Sequence, residues 1–209
     1  MKSSIKEFVV LSFIVTIIFI NGCGGSGVDT QNYQDPVFNT YNIKTIAVLP
    51  IRNTSLALNE AREVNRYFMT GLSRIVKKYT LISPEESIEK MNQDSLVERY
   101  YNHLVTYSSS GIANTKTIQA IGKSIGCDAI AQGEIYNIIK KDGSYGQNKG
   151  ETRCNVRYTL LSTKDGKVLW ETSVESYEKT DFTLSSAPPL MDVVKAGMDQ
   201  IIESIPASK

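Results

Sequence analysis

Histidine is almost missing from this 209-residue chain, with His103 the single imidazole, and cysteine occurs only at positions 23, 127 and 154. That scarcity excludes a multi-histidine metal centre and a disulfide-stapled scaffold. An excess of charge is missing too. Lys+Arg is 23 against Asp+Glu 22, and removing residues 1–22 takes away Lys2, Lys6 and Glu7, leaving 21 against 21. A net charge of zero argues against a protein that binds nucleic acid by neutralising phosphates. Hydrophobic residues at 41 % and charged residues at 22 % are ordinary globular usage, which excludes a disordered, collagen-like or multi-span membrane chain.

No uncharged apolar run reaches the length of a membrane span. Phe8 to Ile20 is 13 residues without a charge, preceded by Lys2 and Lys6, whereas a bilayer core of about 30 Å needs about 20 residues at 1.5 Å each. The segment has the form of a secretory signal. It ends Ile20-Asn21-Gly22-Cys23, and a small residue before cysteine resembles the bacterial lipobox. The expectation is a signal peptide over 1–22, cleavage before Cys23, and diacylglycerol on the Cys23 sulfur. An ordinary secretory signal with an unrelated cysteine is the plainer alternative. One acyl chain binds a membrane marginally and two or three bind it stably. Gly24, not aspartate, follows the cysteine, which resembles lipoproteins sent to the outer membrane.

Residues 23–41 are rich in Gly, Ser, Asn, Gln and Asp, with Pro36 among them and no apolar period. They read as a lipidated flexible tether. A folded domain is expected over 42–205. Ile43 to Pro50 is a nearly continuous apolar run, as in a strand covered on both faces. Ala61, Val64, Phe68, Leu72, Ile75 and Tyr79 mark an amphipathic helix over 58–79. Ser83-Pro84-Glu85-Glu86 opens a second helix with a cap, a proline at its first position and acids in its first turn. Helices are also expected over 94–111, 115–126 and 190–205, with Gly126 stopping the fourth. Cys127–Lys140, Thr152–Thr163 and Val168–Tyr177 read as an antiparallel meander turned by Lys164-Asp165-Gly166-Lys167. The fold class is therefore α+β: a mixed sheet of about five strands with helices packed mainly on one face.

Single residues offer few sites. A general base needs a nucleophile and an orienting group beside it, so His103 is expected to be a plain surface histidine. Gly122-Lys123-Ser124 lacks the glycine that a phosphate loop requires five residues earlier, where Thr117 stands. The meander register sets Cys127 and Cys154 on the order of 35 Å apart, beyond any disulfide, so both are expected as free thiols. Trp170 reads as a strand residue packing on a helix. Tyr100, Tyr101 and Tyr107 fit core and rim packing, with an exposed interface as the alternative.

The run IAVLPI, the long helix, YTLISPEESIEKM, IQAIGKSIGCDAIAQGEI and the hairpin STKDGKVLWET together resemble the α/β domain shared by the TolB amino-terminal domain, the curli-secretion lipoprotein CsgG and the lipoprotein activators of penicillin-binding proteins. The resemblance spans about residues 42–205 and implies an envelope lipoprotein with a protein partner, or self-association, and no catalytic residue. The resulting expectation is a non-enzymatic protein without cofactor or metal, held to the membrane by Cys23 and facing the periplasm. A CsgG-like channel or ring subunit is the first alternative and an envelope hydrolase the second. The stretches 141–150 and 178–187 are short and polar, which leaves no spare hairpin for a pore.

Overall fold

The computed structural model describes residues 25–53, 55–145, 148–183 and 185–206. The signal segment and Cys23 lie outside them. In chain order the elements are β1 (Ser26–Gln34), a 3-10 turn (Phe38–Tyr41), β2 (Thr45–Val48), β3 (Arg52–Asn53), α1 (Leu58–Ile75), β4 (Thr80–Ile82), α2 (Pro84–Gln93), α3 (Val97–Ser110), α4 (Thr115–Ile125), β5 (Ala129–Lys141), β6 (Lys149–Ser162), β7 (Val168–Thr183) and α5 (Leu190–Ser204). The strands form one sheet in the order β1-β7-β6-β5-β2-β4, with β3 also on β5. Pairings of β2 with β4 and β5 are parallel, as is β3 with β5, and the rest are antiparallel. The α+β class is as the patterning indicates.

Local signals act as expected at the helix ends. The Ser83 hydroxyl accepts the Glu86 N–H at 3.2 Å, and Gly126 ends α4 at φ 79°, a conformation costly for any residue with a Cβ. Helix α1 starts where expected. Ala57 precedes it, and the Glu60 carboxylate reaches back to accept the Ala57 N–H at 2.8 Å.

Three features differ from the expectation. Among the described residues the sheet has seven strands, where about five are expected. Its helices cover both faces. Along β2, Ile46 and Val48 face α1 and α5, while Ala47 and Leu49 face α2, α3 and α4. The alternation splits the interior into two cores, one holding Val64, Phe68, Tyr158, Trp170, Val194 and Met198, the other Met91, Tyr100, Leu104, Ile118, Ile121 and Ile130. The doubly apolar run at 46–49 already requires two covering layers.

The third difference concerns the supposed tether. Ser26–Gln34 is an edge strand paired with β7 from Ser26↔Glu178 to Gln34↔Trp170, and Phe38, in the following turn, is buried in the first core at 4 % exposure. Backbone pairing to β7 supplies what the side chains do not, since a polar strand at a sheet edge needs no apolar face. Asp35 fixes its end, its carboxylate accepting from the Val37 N–H at 2.8 Å and the Lys167 ammonium at 2.6 Å.

Phe38→Ala should lower unfolding free energy by about 3–5 kcal/mol, measured by urea titration of the soluble domain. A tether residue would give no change.

Candidate functional site

Strands β5, β6 and β7 run for 13, 14 and 16 residues, longer than the helices on the second face cover. Side chains alternate along each strand. Cys154, Val156, Tyr158 and Leu160 of β6 enter the first core. Arg153, Asn155, Arg157 and Thr159 therefore share the opposite face, beside Tyr177, Glu175, Ser173 and Glu171 of β7, in that order. Gln132, Glu134 and Tyr136 of β5 pair with Thr159, Arg157 and Asn155, and Asp29, Gln31 and Tyr33 of β1 pair with Glu175, Ser173 and Glu171. The result is a four-strand polar face bordered by α3.

Its charges are bound to one another. Glu134 accepts from Arg52, from Arg157 at 2.6 Å and from the Ser108 hydroxyl at 3.0 Å. Glu171 accepts from Tyr107 at 2.6 Å and Thr159 at 2.8 Å. Arg153 bridges Glu151 at 2.8 Å and Glu175, and its hydrogen bond holds the Glu151 carboxyl below the usual carboxylate range. Tyrosines lie against the guanidinium groups, Arg157 5.7 Å from the Tyr107 ring and 5.6 Å from Tyr136, and Arg153 5.2 Å from Tyr177. Arginine stacked on tyrosine is the chemistry of protein-binding hot spots. Beside this face, among the described residues β1 pairs on one side only, with β7, so its outer edge offers backbone N–H and C=O groups to a further strand. The strand SGVDTQNYQ carries neither lysine nor proline to block such pairing.

His103 is not a surface residue. It is 2 % exposed, because positions 100, 103, 104 and 107 form one i, i+3, i+4, i+7 face of α3. The Asn114 N–H donates to its Nδ1 at 3.2 Å, so the proton sits on Nε2, which donates to Gln132 Oε1 at 3.1 Å. Burial pushes its pKa below the ordinary histidine value.

Ser124 stands within Gly122-Lys123-Ser124-Ile125-Gly126, which has the G-x-S-x-G spacing of a hydrolase nucleophile turn. That turn needs a strand before it and a helix after it. Here the order is reversed, with Ser124 inside α4 and its hydroxyl donating to the Lys90 carbonyl at 3.3 Å. Gly122 instead lets α4 approach Thr163, whose Cβ would lie 2.3 Å from an added methyl group.

Cys127 and Cys154 are buried free thiols, and burial pushes Cys127 up to about 12. Trp170 packs in the first core and donates its indole N–H to the Ser204 carbonyl at 3.1 Å. Tyr100 and Tyr107 are buried, while Tyr101 is exposed. Cys23, the predicted lipidation residue, lies outside the described residues. Among the described residues no group of three or more His, Cys, Asp or Glu is arranged to hold a metal ion, and no helix is long and apolar enough to cross a membrane.

Sequence reasoning missed Asp128, whose carboxylate accepts the N–H groups of Lys44 and Thr45, both at 2.9 Å. It lashes the start of β2 to the start of β5. It also missed the Arg157–Glu134–Arg52 cluster, whose members are 23 and 82 residues apart. The only local signal was the charge alternation along β6.

No family model matches the chain, and no curated protein matches it. Solved structures with a partial likeness include the PelC dodecamer from Paraburkholderia phytofirmans, at 13 % identity and TM-score 0.49 over 88 % of this chain and 100 % of that one. Lipoprotein GNA1162 from Neisseria meningitidis gives 20 % and 0.43 over 77 % and 99 %. The LpoB C-terminal domain from Salmonella enterica gives 16 % and 0.36 over 67 % and 92 %. At these scores none of them assigns a function to this chain.

His103 makes stability depend on pH in a defined window. Its folded-state pKa is lowered, so the folded state binds less proton than the unfolded state. Stability is then full above the unfolded value of about 6.5 and falls as pH drops below it. Paired carboxylates with lowered pKa, such as Asp35 and Glu151, act only below about pH 4.5. Melting temperature should therefore decline from pH 7 to 5, and His103→Gln should flatten that decline. Separately, Glu134→Ala should cost about 1–3 kcal/mol, because Arg157 and Arg52 lose their common partner while partly covered. Urea titration of wild type and variant checks it.

Proposed function

We propose that this protein is a non-enzymatic cell-envelope lipoprotein, anchored through Cys23, whose domain binds a protein partner or a second copy in the periplasm. The observation that carries the reading is the unpaired outer edge of β1 lying beside the arginine–tyrosine face of β5, β6 and β7. A partner strand added to β1 would gain main-chain hydrogen bonds, and the adjacent face would supply side-chain selectivity. The resemblance to the TolB amino-terminal, CsgG and activator-lipoprotein group supports the same reading. So does the signal segment ending at Gly22-Cys23, with outer-membrane placement favoured by Gly24.

A photo-crosslinking residue at Val28, exposed on β1, should give one defined adduct in living cells, identified by mass spectrometry. The same residue at Lys116 on α4 should give none. Gln31→Lys, which places a charge on the free edge, should abolish the adduct without moving the melting temperature. Equal adducts from Val28 and Lys116 would refute the edge as the binding surface. Native mass of the detergent-extracted protein separates a homomeric ring with a defined subunit number, the CsgG-like alternative, from monomers or dimers. Cys23→Ser should abolish incorporation of labelled palmitate, and retained label would refute the anchor.

A further inference from the structure

We propose that the end of the sheet where β1 begins is a bilayer-contacting surface, on which the tip of the β5–β6 hairpin meets phospholipid headgroups through Ile139, Lys141, Tyr145 and Lys149. The inference rests on the reading that Cys23 carries lipid.

The starting point is that the sheet begins almost at the anchor. With residues 26–34 in a strand, only three peptide units separate Cys23 from Ser26. Fully extended they reach about 10 Å, against roughly 60 Å for an extended tether over residues 23–41. The anchored end of β1 is therefore held within about 10 Å of the lipid, and the direction of the strand decides which end of the domain that is.

One row of paired residues crosses four strands at this end. Ser26 pairs with Glu178, Glu178 with Thr152, and Thr152 with Lys140. The Lys179 N–H donates to the Gly25 carbonyl at 3.0 Å, extending the pairing one residue further out. Neighbouring strands lie about 4.8 Å apart, so Lys140 is about 14 Å from Ser26 along the row. Past the row the hairpin continues through Lys141↔Glu151 to the bridge Ser144↔Asn148. β5 ends at Lys141, and Gly143 then donates to the Ser185 carbonyl at 2.9 Å, so the tip lies just beyond the row. The hairpin tip therefore lies on the side of the row from which the chain runs back to Cys23.

The composition of this tip suits that position. Tyr145 is 85 % exposed and Ile139 40 %, both among the few large apolar side chains left open to solvent. Lys140, Lys141 and Lys149 are exposed around them. Tyrosine and lysine with an apolar neighbour favour the membrane–water boundary, the ring in the interface and the ammonium groups among phosphates. Two of the carboxylates at this end are engaged within the protein, while Glu178 stands in the row itself. Glu151 is held by Arg153 and Lys179, and Asp142 accepts the Ala187 N–H at 2.8 Å. A structural role for Tyr145 is absent, since a side chain so exposed packs on nothing that folding requires.

Orientation follows. Tyr33, at the far end of β1, pairs with Glu171 seven residues from Ser26, about 23 Å further from the bilayer along the strand. The free edge of β1 then runs outward from the membrane.

The test uses the processed full chain, reconstituted into vesicles of phosphatidylethanolamine and phosphatidylglycerol brominated near the headgroup end of the acyl chains. Tyr145→Trp and Tyr33→Trp are compared, with buried Trp170 a common background. The mass of the amino-terminal peptide reports lipid on Cys23 independently. The expected result is a blue-shifted indole emission from position 145, quenched by brominated relative to ordinary vesicles, and an unquenched emission from position 33. A lipidated protein in which position 145 is no more quenched than position 33 overturns the inference and leaves the anchor intact. An amino-terminal peptide without lipid overturns both.

Discussion

Two helical layers must cover a sheet whose three longest strands outrun one of them. Helices α1 and α5 cover the first face of β5, β6 and β7 along the length that carries Cys154, Val156, Tyr158 and Trp170. Helices α2, α3 and α4 cover the second face only around β4, β2 and the first residues of β5. Beyond that, every second residue of the meander faces away from both cores, so those positions are arginine, glutamate, threonine and tyrosine. Closing the charges into pairs keeps that face soluble while leaving a patterned surface beside a free strand edge.

The same mismatch explains the tight places. Tyr158 lies stacked on Phe68 with ring centroids 3.9 Å apart, and its ring fills the space that a Cβ on Gly133 would occupy at 2.4 Å. Glycine at 133 is what lets the large ring lie flat across its neighbouring strand. The hydroxyls of Tyr158 and Tyr100 are buried without a partner, and burial raises the pKa of both, so these phenols stay neutral and act as bulk. The Ser87 hydroxyl is buried without a partner as well, whereas Asn65 accepts the Ile51 N–H at 3.0 Å and fixes the chain after β2. Packing and hydrogen bonding therefore hold the central strands from both sides, while β1 depends on β7, Asp35 and Phe38.

The proposed function is surface chemistry. His103, Ser124 and both described cysteines are each committed to folding contacts. The groups that remain open are the edge of β1, the arginine–tyrosine ladder and the lysine-bearing hairpin tip. In the proposed reading a short leash to Cys23 would relate them in space, setting the hairpin tip towards the bilayer with the strand edge rising from it.

The sequence by itself determined the elements that announce themselves locally. The 3.6-residue period of α1, the Ser83 cap, Gly126 and the Asp165-Gly166 turn each state a conformation within a few residues, and the segment ending at Gly22-Cys23 has the form of a secretory signal. Even the doubly apolar run at 46–49 pointed to two covering layers. What only tertiary structure decided depends on partners distant in the chain. Ser26–Gln34 has the composition of a linker and becomes a strand because β7, about 145 residues later, offers it backbone hydrogen bonds. His103 is interior because α3 turns that face to the sheet, and Glu134 meets Arg52 and Arg157 only once β3, β5 and β6 lie side by side. Periodicity and caps record how a segment relates to itself, whereas an edge strand and an ion cluster exist only between segments.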